Sequence, residues 1–238
     1  MYNNNKKTKI IMSNKNIQQE PDELQNVEQA LSKTEQFIEN NRKNLVIGLC
    51  VVAVVAAAIV WFFNGYVAPK NVEAGDKMAT AVRYFELDSF ALALNGDGVN
   101  EGFIEIMDNY GVTEQSNLAA FYAGVCEYKL GNYDEAISYL NKFSASSVNM
   151  EPAAITLVGD CYVAKGDAKA AVKYFEKAGA IENKLTAPRA LNKAGIAYES
   201  MGEWAKAEKC YQTIKPVYFD SQLAMEMDKR IERCQANQ

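Results

Sequence analysis

Three stretches of this chain share one spacing, and that spacing limits the possible fold more than any other feature. Gly124 to Phe143 reads GVCEYKLGNYDEAISYLNKF, Gly159 to Ala178 reads GDCYVAKGDAKAAVKYFEKA, and Gly195 to Ile214 reads GIAYESMGEWAKAEKCYQTI; the leading glycines stand 35 and 36 residues apart. A period of about 34 residues carrying a helix-turn-helix pattern marks a helical solenoid. Such a unit cannot bury its apolar face alone, so its neighbours must stack on it.

Residue size explains the pattern. Gly124, Gly159 and Gly195 fall on the first helix of each pair, where a missing side chain lets the second helix come close; Ala136, Ala171 and Ala207 play the matching part on the second helix. Seven residues after each leading glycine comes another, Gly131, Gly166 and Gly202, placed to end the helix in a left-handed cap. Tyr133 and Trp204 follow as turn anchors, with the smaller Ala168 between them in the series, and Leu140, Phe175 and Tyr211 fill the inner face of each second helix. These three cores resemble the tetratricopeptide repeat family over residues 117–220. Two positions depart from its pattern: Glu127 stands where the family favours the tyrosine seen at Tyr162 and Tyr198, and Phe219 stands where an inter-repeat proline is common.

The N-terminal part has a different composition. Residues 1–20 are Asn- and Lys-rich and read as a disordered tail; 21–43 place Leu24, Val27, Leu31 and Ile38 at helical spacing behind Pro21, Asp22 and Glu23, which suit a first turn. That segment is expected to be an amphipathic helix, either a solvated stalk or a docking helix for a partner. Residues 44–63, NLVIGLCVVAVVAAAIVWFF, hold no charge, and about twenty apolar residues cross a bilayer core as a helix. Arg42 and Lys43 adjoin the near end and an aromatic cluster, Trp61 to Phe63 with Tyr66, marks the far end, so the positive-inside rule puts the N-terminus in the cytoplasm. Seven Lys/Arg against six Asp/Glu precede the span and 18 against 24 follow it, a moderate support that Lys70 and Lys77 near the outer end offset, so the adjoining Arg42-Lys43 pair decides the orientation. A cleaved signal peptide would have a shorter apolar core and a small-residue site, whereas Val67-Ala68-Pro69 is a poor one. Cys50 follows Leu49 near the start of the apolar run, which is the wrong place for a lipoprotein anchor. The span reads as an uncleaved signal anchor.

Beyond it, 71–110 is expected to form a long helix over Asn71 to Leu94, a turn at Asn95-Gly96-Asp97-Gly98, and a second helix over Gly102 to Tyr110, together a degenerate first repeat. Residues 221–238 are expected to form a capping helix that starts at Ser221 and exposes Asp228, Lys229, Arg230, Glu232 and Arg233. The fold class is therefore all-α: a tetratricopeptide solenoid after one transmembrane helix.

The chain has no histidine, which removes His-based acid–base catalysis, His-containing triads and His metal ligation. Its five cysteines show no CxxC spacing, and Cys126 and Cys161, in equal register on successive first helices, read as core packing, with a disulfide between them as the alternative. Glu127 and Asp160 read as hydrogen-bonded structural acids. The expectation is no enzyme, no metal and no cofactor, and at a net charge of -5 with no basic stripe, no nucleic acid. In the repeat family the first helices line a concave groove. Here that resemblance selects Leu118, Phe121, Val125 and Tyr128 from the first repeat, Thr156, Asp160 and Val163 from the second, and Arg189, Asn192, Ile196 and Glu199 from the third. The family's terminal-carboxylate clamp is not matched, since Phe121 and Val125 stand where its first Lys and Asn would be.

The layout of cytoplasmic N-terminus, single span and exterior repeat domain resembles the ancillary subunit of the SecYEG translocon, a family of membrane-anchored periplasmic repeat proteins. That resemblance implies a place in the bacterial inner membrane, with the repeats in the periplasm and with the translocon, periplasmic chaperones and emerging polypeptides as partners. The alternative is a scaffold for another envelope machine, in outer-membrane protein insertion or cell-wall synthesis.

Overall fold

The computed structural model describes residues 20–144, 150–220 and 222–238, with side chains from Thr34 onward in the first of these. The expected tail, apart from Glu20, and the expected N-terminal cap at Ser221 lie outside the described residues. Among the described residues the regular elements are all helices. The chain forms two compact units, one ending at Trp61 and one over Phe62–Gln238.

The first unit is a single helix, α1 (Glu20–Trp61). It holds a stretch long and apolar enough to cross a membrane, with a mean hydropathy of 2.9 in its most apolar window and none of that window buried. The expected amphipathic segment runs unbroken into the apolar one as far as Trp61, and Phe62 and Phe63 fall in the turn that follows.

The second unit opens with a π-helical turn, Phe62–Val67, followed by α2 (Ala68–Glu86), α3 (Phe90–Asn95) and α4 (Phe103–Asn109). The long helix expected over 71–94 is therefore two. α2 stops because Asp88 takes a left-handed φ of 54°, a conformation that Asp tolerates better than most residues, and the Ser89 amide closes the turn on the Tyr84 carbonyl at 2.9 Å. The turn after α3 is held by Asp97, whose carboxylate accepts from the Val99 and Asn100 amides at 2.8 and 2.6 Å and from the Tyr84 hydroxyl at 2.6 Å. The Tyr84 hydrogen bond leads in holding that carboxyl far below its usual range, with Asn100 and Val99 adding to it.

Three helix pairs follow: α5 (Glu114–Leu130) with α6 (Tyr133–Lys142), α7 (Met150–Ala164) with α8 (Ala168–Gly179), and α9 (Ala187–Ser200) with α10 (Trp204–Val217). Each pair packs together and each second helix packs on the next first helix. The turn inside every pair is the same Schellman motif. Gly131, Gly166 and Gly202 have φ of 87°, 79° and 72°. Their amides bond the carbonyls of Tyr128, Val163 and Glu199, while the next residue's amide reaches Glu127, Tyr162 and Tyr198, each at 2.9 Å.

The leading glycines are required by contact. A Cβ on Gly124 would stand 2.6 Å from Leu140 Cγ, one on Gly159 2.5 Å from Phe175 Cε1, and one on Gly195 2.4 Å from Tyr211 Cε1. Ala136, Ala171 and Ala207 are wholly buried beside them. The core is accordingly layered into three clusters. The first is built around Phe103 and Ile106, the second around Leu140 and Val158, and the third around Phe175, Tyr211 and Ile214. An aromatic chain joins the first cluster to the second, running from Phe85 through Tyr122 (5.1 Å) to Phe121 (6.0 Å) and Phe143 (5.3 Å).

The C-terminal segment is a 3-10 turn, Gln222–Glu226, and α11 (Met227–Gln235), which packs on α10. Its charges do more than face water. Arg233 makes two bonds of 2.7 Å to the Glu199 carboxylate, Lys215 pairs with Asp228 at 2.5 Å, and the Arg230 guanidinium lies 5.6 Å from the Tyr211 ring centre. One Arg233 guanidinium nitrogen thus reaches both Glu199 carboxylate oxygens, a charge-assisted contact. Arg233→Ala is expected to cost about 1 to 2 kcal/mol and to speed amide hydrogen exchange in α11 before the other helices; unchanged exchange there would show that the pair does not hold the cap.

Candidate protein-binding groove

The first helices α5, α7 and α9 touch one another in turn, so repeat register sets the groove's columns. One turn of each helix contributes Phe121, Thr156 and Asn192; the next contributes Val125, Asp160 and Ile196; the last contributes Tyr128, Val163 and Glu199. The structure treats these members very differently.

The α5 end is largely filled. Leu118 packs against the first core cluster, while Phe121 and Tyr128 pack against the second; Val125 between them is half-buried. The Tyr128 ring lies 5.9 Å from Tyr133. Burial, then the nearby Asp160 carboxylate, raises its phenol above the ordinary value. Charges placed at Phe121 or Tyr128 would disturb the core as well as the surface, so neither tests binding cleanly.

The polar members are mostly engaged within the fold. The Thr156 hydroxyl donates to the Pro152 carbonyl at 2.6 Å. Glu199 accepts from the Tyr211 hydroxyl at 2.8 Å as well as from Arg233, which makes it a fastener of the C-terminal cap. The Asn192 carbonyl oxygen is buried with no hydrogen-bond partner among the described residues, while Arg189 is exposed.

Between α7 and α9 the groove opens. Asp160, Val163, Lys193, Ile196 and Ala197 line a pocket of 340 Å³ whose floor is Phe175 and whose rim includes Gly166, Ala168 and Ser200. Val163 and Ile196 remain 49% and 43% exposed, and both line the pocket. Across the pocket Asp160 and Lys193 form an ion pair at 2.5 Å, and the Lys193 ammonium lies 5.9 Å from the Phe175 ring centre. The pocket is thus apolar, with its two charges neutralising each other. Three of the expected groove residues, Asp160, Val163 and Ile196, come together here; Arg189, Asn192 and Thr156 are not among the lining residues. Lys193 and Phe175 were missing from the sequence-derived set. Lys193 lies 33 residues after Asp160, one repeat less one helical turn, and that offset is the signal that places a base beside an acid on adjacent first helices.

The other two features singled out in the sequence are structural. Glu127 is buried and accepts from the Asn132 amide group at 2.7 Å, so it braces the first turn where the later repeats carry tyrosine. Cys126 and Cys161 are fully buried free thiols in different core clusters. Burial pushes them up to about 12 and about 11 respectively, which makes them inert rather than nucleophilic.

Comparison with known proteins agrees with this architecture. Two tetratricopeptide repeat models match, at residues 118–146 and 152–183. Among solved structures, one described as the crystal structure of MamA protein is 19% identical with a TM-score of 0.50, covering 69% of this chain and 91% of that one. A putative kinesin light chain with nearly identical TPR-like repeats from Podosopora anserina is 13% identical with a TM-score of 0.54, covering 69% and 86%. No curated protein matches the chain. At these identities the structural likeness concerns the fold. Repeats of this kind generally serve as non-catalytic scaffolds for protein–protein interaction. The chain carries tetratricopeptide repeats at 118–146 and 152–183, within an all-α solenoid preceded in the sequence by one long apolar helix.

Proposed function

We infer that this is a single-pass membrane protein whose solenoid binds polypeptide segments at the outer face of a bacterial cytoplasmic membrane, as an ancillary or chaperone-linked factor of the Sec translocon. The observation that carries the binding role is the 340 Å³ pocket, with Val163 and Ile196 exposed beside a self-neutralised Asp160–Lys193 pair. Such a site favours uncharged apolar side chains presented by an extended chain over a small charged ligand. The apolar stretch of α1 supports the anchor, and the Arg42–Lys43 pair at its N-terminal side supports the orientation. Tethering raises the local concentration of the groove near an exit site, so weak contacts suffice.

Affinity purification of the full-length protein from membranes in mild detergent tests the partner assignment. Enrichment of translocon subunits and periplasmic folding factors supports it; enrichment of outer-membrane assembly or cell-wall proteins without the translocon replaces it with the scaffold reading. Val163→Asp with Ile196→Asp is expected to reduce client crosslinking about tenfold or more, with the unfolding midpoint little changed because both side chains already face solvent. Undiminished crosslinking would move the binding surface elsewhere. Orientation is tested by Lys70→Cys: labelling of the introduced thiol by an impermeant maleimide in intact cells supports an exterior domain, and labelling only after lysis reverses it.

A further inference from the structure

We propose that α1 pairs with α1 of a second copy of this chain, as a parallel coiled coil whose seam runs from Leu24 to Ile59. The proposal starts from a seven-residue period. Leu24, Leu31, Ile38, Leu45, Val52 and Ile59 are six successive apolar residues at that spacing, and over 24–43 the three outward positions of each heptad are all polar. Apolar residues at both alternating seam positions wind α-helices into a left-handed supercoil. In the polar half those positions read Leu24, Val27, Leu31, Thr34, Ile38 and Asn41, four apolar and two polar.

Within 44–63 every residue is uncharged, so the period is informative mainly in the polar half. There an apolar stripe left in water costs free energy that a neighbouring helix would recover. Val27 follows Leu24 at the intermediate seam position, and Ile38 and Leu45 are 49% and 43% exposed. A bilayer surface is a poor cover, because α1 is one unbroken helix over Glu20–Trp61. Its polar half therefore continues the axis of the span and cannot lie flat in the headgroup plane, as an interfacial helix does. A helix running alongside is the cover that geometry leaves.

Three features favour an identical helix. Two copies inserted in one membrane are parallel and in register without further specification, and one rotational setting then serves both halves of the seam. Asn41 falls at a seam position. It already donates one amide hydrogen to the Phe37 carbonyl at 3.0 Å, and its second hydrogen and its oxygen are self-complementary across a two-fold pair. Gly48 falls at the next such position inside the apolar stretch, with nothing within 4 Å of where a Cβ would be, so two backbones can approach there. By register across the seam, position 30 (Ala) is level with 35 (Glu), 37 (Phe) with 42 (Arg) and 23 (Glu) with 28 (Glu), so one of these three pairs is like-charged. The inference goes beyond the binding role and rests only on the reading that 44–63 spans a membrane.

The test uses the full-length chain in native membranes, with Cys50→Ala as background because Cys50 is the exposed cysteine while the other four are buried. Single substitutions Ile38→Cys, Glu39→Cys, Asn40→Cys and Asn41→Cys are oxidised and scored for disulfide-linked dimer. Positions 38 and 41 should crosslink roughly fivefold more than 39 and 40, following the seam. Equal yields at all four positions, absence of dimer, or linkage of 38 and 41 to a different protein would each overturn the proposal. Sedimentation with membranes after an alkaline carbonate wash is read on the same samples. Retention without dimer overturns the pairing alone, and loss of retention overturns the span on which it rests.

Discussion

Gly195→Val should lower the free energy of unfolding by about 3 kcal/mol, at the upper end of the cost of overpacking a core. Replacing a helical glycine ordinarily stabilises by some tenths of a kcal/mol up to about 1, so the sign here depends on contact. The new Cβ would lie 2.4 Å from Tyr211 Cε1 and 2.5 Å from Cζ, distances at which something must move. The ring has little freedom to do so: it is fully buried, its hydroxyl is bonded to Glu199, and Arg230 lies over it. Combining the substitution with Tyr211→Ala should cost less than the two single changes added together, because the pair share one space. Urea titration of the three variants checks both statements. Strict additivity would mean that the glycine is tolerated rather than required.

The second large effect is alkaline. Cys126, Cys161 and Cys210 are buried, and burial raises their thiols to about 12, 11 and 11 from an ordinary value of 9.0. Tyr198 and Tyr211 are raised for the same leading reason, reinforced by hydrogen bonds to Glu176 and Glu199. Because these folded-state values lie above the unfolded ones, the unfolded chain loses protons first as pH rises. Stability is then complete below about pH 9 and falls through about pH 12, by about 1.4 kcal/mol per pH unit for each buried thiol in its window. Urea midpoints taken across that range should drop steeply, and Cys126→Ala should flatten the drop by one thiol's share. A midpoint indifferent to pH over the window would show that the thiols ionise without opening the core.

The repeat architecture was legible because its cause is local and recurrent. A glycine that must face a large side chain sixteen residues later, and another that must adopt a left-handed turn seven residues later, leave the same mark three times. The break at Asp88 was missed: Met78, Val82 and Phe85 keep helical spacing, the step of five to Phe90 is the one mark of the interruption, and a single Asp in a left-handed conformation carries no mark of its own. The groove was half legible. Register identifies which residues share a column, but it does not say which columns are occupied by the fold itself. Phe121 and Tyr128, aromatics of the expected groove, are half-buried and also pack against the second core cluster. Glu199 looks like a groove acid and proves to be held by Arg233, 34 residues on.

That last contact has a consequence for how the solenoid comes apart. Each layer of the stack touches only the layers beside it, so loss of order travels inward from whichever end opens first. With Arg233 and Tyr211 both bound to Glu199, the C-terminal end behaves as a closed latch. Unzipping from that side must break this carboxylate's bonds and expose Met227 and Cys234 before α10 is freed.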